Sequence, residues 1–329
     1  MRFDGRYAPS PTGPLHLGNL RTALLAWLFA RSHSARFLLR IEDLDPQRSR
    51  GEHEAGQLAD LAALGLDWDA RPLRQSERGE RYAEAVEQLR AQGLVYECFC
   101  TRAEIREAVS APPGRDRTSG IGASAPALAT DPSLDLYPGT CRSLSAAARA
   151  ERLRAGRPPA LRVRADAARV GFHDLLAGDV EAIVDDVVVR RNDGAYAYNL
   201  AVAVDDADQG IGEVVRGADL LGATAGQRWL TQRLGLTPPS RYAHVPLVLG
   251  EDGQRLAKRH GAVTLAQRLA RGQSPDGIRG ELAASVGLCQ TGGRPSLAEL
   301  LERFDAGAWA AAAAGSISPV WTVPTHPRG

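Results

Sequence analysis

The sequence has almost no lysine. Of the 40 basic residues in 329, only Lys258 is a lysine and the rest are arginine. This bias indicates that arginine is used wherever only a positive charge is needed. Because the two side chains differ in geometry and hydration, a retained lysine indicates a site that requires a compact ammonium group. The alternative is that a single lysine has to stand somewhere in the chain.

The sequence also lacks long apolar runs and has few cysteines. No apolar run is long enough to cross a bilayer, so we expect no membrane contact. The opening segment MRFDGRYAP lacks the apolar region of a signal peptide, and four cysteines without such a signal favour a reducing, cytoplasmic setting. The net charge of +1 predicts no overall basic field. Any contact with RNA would therefore depend on local arginine patches.

The most informative stretch runs from Arg6 to Asn19 and reads RYAPSPTGPLHLGN. Its two prolines disfavour a helix before Gly13, so the pattern predicts a strand end, a turn and a helix that begins near Gly18. The free N–H groups of a helix N-terminus bind anions, and His16 stands where it can donate to a phosphate. A Pro/Gly connector before a core helix would give the same pattern.

His16-Leu17-Gly18-Asn19 resembles the HIGH motif of class I aminoacyl-tRNA synthetases, with Asn19 in place of the final histidine. The preceding APSPTG is similar to the glutamyl and glutaminyl branch of that class. The resemblance implies an α/β fold with a Rossmann-like parallel sheet. An inserted zinc-containing domain is expected to split this sheet, and a small helical region is expected after it. It also implies that His16 is catalytic and that His16, Gly18 and Asn19 bind ATP with its magnesium.

Acidic residues follow a predicted buried strand at residues 37–41. Glu42 is the first of them, and ligands of open α/β sheets bind outside the carboxyl ends of strands. A solvated turn or helix cap would also contain such acids. RIEDLD (residues 40–45) is similar to glutamyl-tRNA synthetases, which implies that Glu42 binds the amino group of L-glutamate. The other glutamate-binding residues that the resemblance implies are Arg6, Tyr7, Ala8, Pro9, Ser10, Tyr198 and Arg216.

An arginine for a carboxylate and a glutamate for an ammonium match the charges of the amino acid glutamate. Without the resemblance, Tyr198 is as well explained as a core tyrosine, and Arg216 as a surface arginine. Val202 and Leu220 stand where glutamyl-tRNA synthetases tend to have asparagine and tryptophan, so the fine shape of the pocket stays open.

The single lysine falls in a second motif. RLAKR (residues 255–259) stands where the class has KMSKS, with Lys258 at the second lysine of that motif. The resemblance implies that Lys258 is catalytic, binds ATP and stabilises the charge of the pyrophosphate leaving group. The alternative is a solvated basic loop.

Three cysteines and a tyrosine form a candidate metal site. Cys98 and Cys100 project on one side of an extended chain, and Cys141 with Tyr137 would complete four ligands for zinc. On spacing alone, buried free cysteines are as good an interpretation. The pattern resembles the zinc site of the glutamyl-queuosine tRNA(Asp) synthetases, which implies one structural Zn²⁺. We interpret Cys289 as a core thiol.

The remaining patterns predict secondary structure. Helices are expected at residues 51–66 and 78–93 and between residue 263 and about residue 309; β structure is expected at residues 160–191, 195–206 and 245–249. Five units follow: a first Rossmann half (1–97), an inserted domain (98–191), a second Rossmann half (192–250), a KMSKS-like loop with a helical region (251–310) and a tail (311–329).

We expect too few residues after Ala262 for the anticodon-binding region of glutamyl-tRNA synthetases. This build resembles the glutamyl-queuosine branch, which implies a monomer that transfers glutamate to queuosine in tRNA(Asp). The alternatives are a truncated synthetase that charges tRNA(Glu) and a non-catalytic paralogue that binds RNA or nucleotide. Intact Arg6, Glu42 and Lys258 favour an enzyme.

Overall fold

The computed structural model describes residues 3–101, 103–105, 137–250, 252, 254, 256 and 263–314. The strands in these ranges are β1 (Gly5–Tyr7), β2 (Phe37–Ile41), β3 (Leu73–Arg74), β4 (Val95–Cys98), β5 (Ala160–Val163), β6 (Arg169–Asp174), β7 (Gly178–Ile183), β8 (Val187–Arg190), β9 (Glu213–Gly217) and β10 (Arg241–Val245). The helices are α1 (Leu17–Ser32), α2 (Gly51–Ala63), α3 (Gly79–Ala91), α4 (Ala146–Arg154), α5 (Tyr198–Asp208), α6 (Leu221–Arg233), α7 (Leu265–Leu269), α8 (Pro275–Ala284), α9 (Leu297–Arg303) and α10 (Ala306–Ala313). None of the described helices is both long enough and apolar enough to span a membrane.

Seven of the described strands form one sheet in the order β3-β2-β1-β9-β10-β6-β7. Neighbours are parallel except in the β6–β7 hairpin. The chain moves outward from β1 through β2 and β3 on one side, and through β9 and β10 on the other. The strand order therefore reverses between β1 and β9, and such a switch point opens a crevice at the carboxyl ends of the strands.

The apolar run after the first motif forms α1, as its spacing predicts. This helix is buried along most of its length, including Leu24 and Phe29, because it lies between the sheet and the C-terminal helices. Phe29 contacts both Phe304 and Trp309 edge-on, with ring centroids 5.3 and 5.7 Å apart. The predictions of β2 and of the helices that cover the sheet are confirmed.

Two predicted strands are wrong. Residues 195–206 do not return to the sheet as a strand, because most of them form helix α5, which is buried from Leu200 to Asp206. A short apolar run that is buried all round has no period that separates helix from strand. The strand expected at residues 245–249 instead ends at Val245, because Pro246 has no N–H to continue the ladder.

A second sheet lies beside the main one. It has the antiparallel order β4-β5-β8 and carries the cysteine cluster at the end of β4. The β6–β7 hairpin, which falls inside the predicted insertion 98–191, extends the main sheet through β10. Cys289 is partly buried against the main core and its thiol lies 3.4 Å from the Gly280 carbonyl oxygen.

Candidate functional site

The first motif is a helix cap. His16 precedes α1, its Nδ1 accepts from the Asn19 N–H at 3.2 Å, and the Asn19 side chain accepts from the His16 N–H at the same distance. Such reciprocal capping satisfies two N–H groups that a helix start leaves without partners. Asn19 therefore fixes the ring of His16 at the anion-binding end of α1.

Close packing explains Gly18. A Cβ at this position would lie 3.1 Å from the His16 ring and 3.1 Å from Val248 Cγ2. Leu17 donates its N–H to the Val263 carbonyl oxygen at 2.7 Å, so the chain after the second motif runs alongside the start of α1. Leu256, the residue of the second motif that the structure describes, lines the same cavity as His16 and Gly18, whereas Lys258 lies outside the described residues.

A cavity of about 530 Å³ opens at the switch point between β1 and β9. Every predicted glutamate- or ATP-binding residue that the structure describes lines it: Arg6, Tyr7, Ala8, Pro9, Ser10, His16, Gly18, Asn19, Glu42, Tyr198 and Arg216. Leu220 also lines the cavity, whereas Val202 is buried in α5. Predicted binding residues that are up to 210 positions apart in the sequence, Arg6 and Arg216, therefore share one pocket.

A buried ion network holds Arg6, one of the residues that line this cavity. The carboxylate of Asp206 accepts from Arg6 Nε at 3.1 Å and from Arg40 Nη1 at 2.6 Å. Burial alone would raise the pKa of Asp206, but the guanidinium groups of Arg40 and Arg6 hold it at about 2. Asp206 thus stays ionised and keeps both arginines in place.

Glu42 extends from the same network. Arg40 Nη2 lies 3.4 Å from Glu42 Oε1, yet burial raises the pKa of Glu42 in spite of Arg40 and Arg6. The ionised carboxylate is therefore only partly offset by these arginines, and a bound ammonium group would complete that compensation. Burial also raises the pKa of Tyr198, so its hydroxyl remains protonated beside Glu42.

Three residues of the site were not predicted from the sequence: Arg40, Asp206 and Gln57. Gln57, on α2, donates from Nε2 to the carbonyl oxygens of Ser10 at 3.0 Å and Gly13 at 2.7 Å, and so fixes the turn before α1. One signal was available: Arg40 is the charged residue in an otherwise apolar strand.

The candidate metal ligands converge as predicted. The sulfurs of Cys98, Cys100 and Cys141 all lie within 4.8 Å of one another, and those of Cys100 and Cys141 are 3.5 Å apart. The Tyr137 hydroxyl is 3.6 Å from the Cys100 sulfur and accepts from the Cys141 N–H at 2.7 Å. Burial raises the pKa of Cys100 to about 12, so this thiol stays protonated unless a cation joins it.

Asp186 anchors the loop that carries Cys141. Its carboxylate accepts from Arg142 Nη2 at 2.7 Å and from the Ala165 N–H at 3.0 Å, and also pairs with the Tyr96 hydroxyl. Arg162 packs over the Tyr137 ring at 4.1 Å from its centroid. The cluster is therefore rigidly attached to β5 and β8.

A larger cleft, of about 1170 Å³, adjoins the first cavity. Ser10, Glu42 and Tyr198 line both spaces, so the cleft begins where the cavity ends. Its far wall includes Cys98 and Cys100. Charged residues of both signs line it: the arginines are Arg48, Arg157, Arg162 and Arg191, and the acids are Glu42, Asp45, Asp185, Asp186 and Asp219.

Comparison with known proteins places this geometry in a family. The family model "tRNA synthetases class I (E and Q), catalytic domain" matches residues 3–279. Two relatives, from Nocardia farcinica and Symbiobacterium thermophilum, both bear the name glutamyl-Q tRNA(Asp) synthetase. The first is 55% identical over 92% of this chain and 89% of its own length; the second is 45% identical over 92% of each chain.

Among solved structures, a glutamate tRNA ligase from Elizabethkingia meningosepticum in complex with its amino acid is similar with a TM-score of 0.73 and 27% identity. The match covers 93% of this chain but only 65% of that ligase. The α/β fold expected from the resemblance is thus confirmed, as is the resemblance itself. The chain belongs to the class I tRNA synthetases of the glutamyl and glutaminyl type.

Proposed function

We propose that the protein activates L-glutamate with ATP and transfers the glutamyl group to queuosine at the wobble position of tRNA(Asp). The observation that carries this proposal is the 55% identity to a glutamyl-Q tRNA(Asp) synthetase over about nine tenths of both chains. The cavity supports it, since it combines the buried Arg6 and Arg216 with a partly buried Glu42 whose charge these cations and Arg40 offset only in part. We also infer a monomer that works in the cytoplasm.

The residues take roles according to charge. Arg6 and Arg216 would bind carboxylate oxygens of glutamate, Glu42 would bind its ammonium group, and Tyr198 would donate from its hydroxyl. Backbone from Tyr7 to Ser10 would line the amino acid. This division explains why cations and an anion are kept together in one buried pocket.

ATP would bind at the start of α1. His16, held by Asn19, and the N–H groups of the first turn present donors to phosphate oxygens, and Gly18 lets the nucleotide approach the backbone. Lys258 would contact the pyrophosphate that leaves when the glutamate carboxylate attacks the α-phosphate. Magnesium arrives with ATP as part of this substrate.

The adjoining cleft would receive the acceptor. It is large enough for a modified nucleoside and opens beside Glu42 and Tyr198, and four of its lining residues are arginines that would contact phosphate oxygens of the acceptor. Bases in single-stranded loops are recognised when they are splayed from their neighbours. A wobble nucleoside placed there would bring a ring hydroxyl to the adenylate.

We expect labelled glutamate to attach to tRNA(Asp) that carries queuosine and not to the same tRNA with guanine at the wobble position. The decisive substrate is queuosine-containing tRNA(Asp) that ends in 3′-deoxyadenosine and has a 2′-blocked terminal ribose, because it has no hydroxyl to accept an amino acid at the 3′ end. Transfer to this RNA should match transfer to intact tRNA, with acid-precipitable label as the measure.

The two alternatives give different results in the same assay. A truncated glutamyl-tRNA synthetase would label tRNA(Glu) and lose all transfer when the 3′ end is blocked. A non-catalytic paralogue would show no glutamate-dependent exchange between ATP and pyrophosphate with any RNA. Either result would overturn the proposal.

We further propose that the cysteine cluster binds one structural Zn²⁺ in an inserted domain. Zn–S bonds of about 2.3 Å at tetrahedral angles place two sulfurs about 3.8 Å apart. The 3.5 Å separation of the Cys100 and Cys141 sulfurs, and the 4.8 Å limit on the whole cluster, fit this arrangement after small adjustments. Tyr137 would supply the fourth ligand from its hydroxyl.

Metal analysis of the purified protein is expected to give one zinc per chain. Cys100→Ser should lose most of the zinc and make the loop around Cys141 more sensitive to protease, because one strong ligand is gone. Cys289→Ser is the matched control, since this thiol lies outside the cluster and should keep its zinc. Full zinc occupancy in Cys100→Ser would exclude this ligand set.

A further inference from the structure

Arg216 is enclosed by protein acceptors. Its Nε lies 3.0 Å from His244 Nε2, and its Nη2 lies 2.8 Å from Thr224 Oγ1 and 3.3 Å from the Leu220 carbonyl oxygen. Its Nη1 donates to Gln227 Oε1 at 2.9 Å. A guanidinium has five N–H donors, so these contacts leave one of the two on Nη1. Among the described residues no acceptor takes that donor, and Arg216 lines the cavity.

His244 can serve as an acceptor in one tautomer only. Its Nδ1 lies 2.6 Å from Asp174 Oδ2, and a carboxylate accepts, so the proton is on Nδ1. The Nε2 atom is then a lone pair that faces the Arg216 Nε–H. A proton on Nε2 would instead point at the Arg216 Nε–H across 3.0 Å. Burial lowers the pKa of His244, as does Arg216, while Asp174 opposes the shift.

Asp174 is itself fixed from several sides. Its Oδ1 accepts from the N–H groups of Leu176 and Ala177 at 3.0 and 2.9 Å, and its Oδ2 also accepts from the His244 N–H at 3.1 Å. It is the last residue of β6, directly before the turn of the β6–β7 hairpin, and β6 pairs with β10, the strand that carries His244. The hairpin therefore sets the orientation of the imidazole ring.

We propose that Asp174 and His244 are positioning residues that hold Arg216 with a single N–H aimed at a carboxylate group of the bound amino acid. The hydrogen-bonded series Asp174–His244–Arg216 crosses three neighbouring strands, β6, β10 and β9. The pairing of these strands therefore sets the orientation of the Arg216 guanidinium. A guanidinium with one free donor binds a carboxylate through one directed hydrogen bond and not through a bidentate pair. This inference rests on the proposed binding of glutamate by Arg216.

Two substitutions at His244 separate the parts of this chain. In His244→Gln the side-chain amide reaches the position of Nε2 and keeps an acceptor for Arg216, while the donor to Asp174 is lost. In His244→Asn the amide reaches the position of Nδ1 and keeps the donor to Asp174, while the acceptor for Arg216 is lost. Both variants are measured by glutamate-dependent exchange between ATP and pyrophosphate.

We expect His244→Asn to raise the KM for glutamate about tenfold or more, as for the loss of a hydrogen bond to a charged group, and to leave the KM for ATP unchanged. His244→Gln should raise the KM for glutamate less, by about threefold, because the acceptor for Arg216 remains but Asp174 no longer orients it. A purely structural role, in which His244 only ties the hairpin through Asp174, gives the opposite order. That order, or equal KM values for both variants, would overturn the inference.

Thr224→Val provides an independent test if His244→Asn unfolds. It keeps the side-chain volume and removes one acceptor from Arg216, so the KM for glutamate should rise several-fold; an unchanged value would contradict the inference. The proposed function is tested separately, because the unsubstituted protein must show glutamate-dependent exchange. If the unsubstituted protein shows exchange and these variants do not change the KM for glutamate, the positioning role is excluded and the proposed function stands.

Discussion

Asp206→Asn is expected to lower the free energy of unfolding by about 3–5 kcal/mol and to abolish most glutamate activation. The substitution keeps the side-chain volume but removes the negative charge between two buried arginines. Arg6 and Arg40 are 3% and 0% exposed, so water cannot replace the lost partner. Urea unfolding measures the first effect, and exchange between ATP and pyrophosphate measures the second.

Asp208→Asn is the matched control because Asp208 lies two residues further along α5. It pairs with Arg78 and Arg81 at the protein surface, where an ion pair contributes at most about 1 kcal/mol. We therefore expect a small loss of stability and normal exchange activity. Equal destabilisation by both substitutions would show that the buried network around Asp206 contributes no more to stability than the surface ion pairs of Asp208.

Because of the Asp206 carboxylate, the stability of the folded chain should depend on pH in a known direction. The pKa of Asp206 is about 2 in the folded chain against 3.8 as its ordinary value, so the folded state favours the ionised form. Its contribution to stability is complete above about pH 4 and is lost as the pH falls toward 2. Acid unfolding of Asp206→Asn should lack this component, which corresponds to about 2 kcal/mol.

The parts of the site that are predictable from sequence are those in which neighbouring residues act together. The start of α1 is formed by residues within four positions of one another, His16, Gly18 and Asn19, so they are recognisable in the sequence as one motif. Glu42 follows a buried strand directly, and the rule that ligands bind at the carboxyl ends of strands places it. In each case local order along the chain and position in the site coincide.

The parts that were missed depend on contacts between distant segments. Arg40 and Asp206 are 166 positions apart, and Asp174 and His244 are 70 apart, so no local spacing joins them. The pairing of Arg40 with Asp206 also required α5 to be a helix. As a strand, the run 195–206 would alternate its side chains, and Asp205 and Asp206 could not both turn inward.

Lys258→Ala is expected to reduce glutamate-dependent exchange between ATP and pyrophosphate by roughly 100-fold or more, because a positive charge at the leaving group is lost in the transition state. Lys258 lies outside the described residues, but the nearest described residues before and after it both lie at the site. Leu256 lines the cavity and donates its N–H to the Val248 carbonyl oxygen at 3.1 Å, and the Val263 carbonyl oxygen accepts from Leu17 in the first turn of α1.

Lys258→Arg should recover only part of the activity, because a guanidinium is broader and less compact than an ammonium. The matched control is Arg271→Ala, which removes one exposed positive charge just after α7 and should leave exchange within about twofold. The effect should fall mainly on kcat, since the charge that Lys258 offsets grows as pyrophosphate departs. Exchange that is unchanged in Lys258→Ala, or reduced equally in Arg271→Ala, would remove Lys258 from the mechanism and leave its retention unexplained.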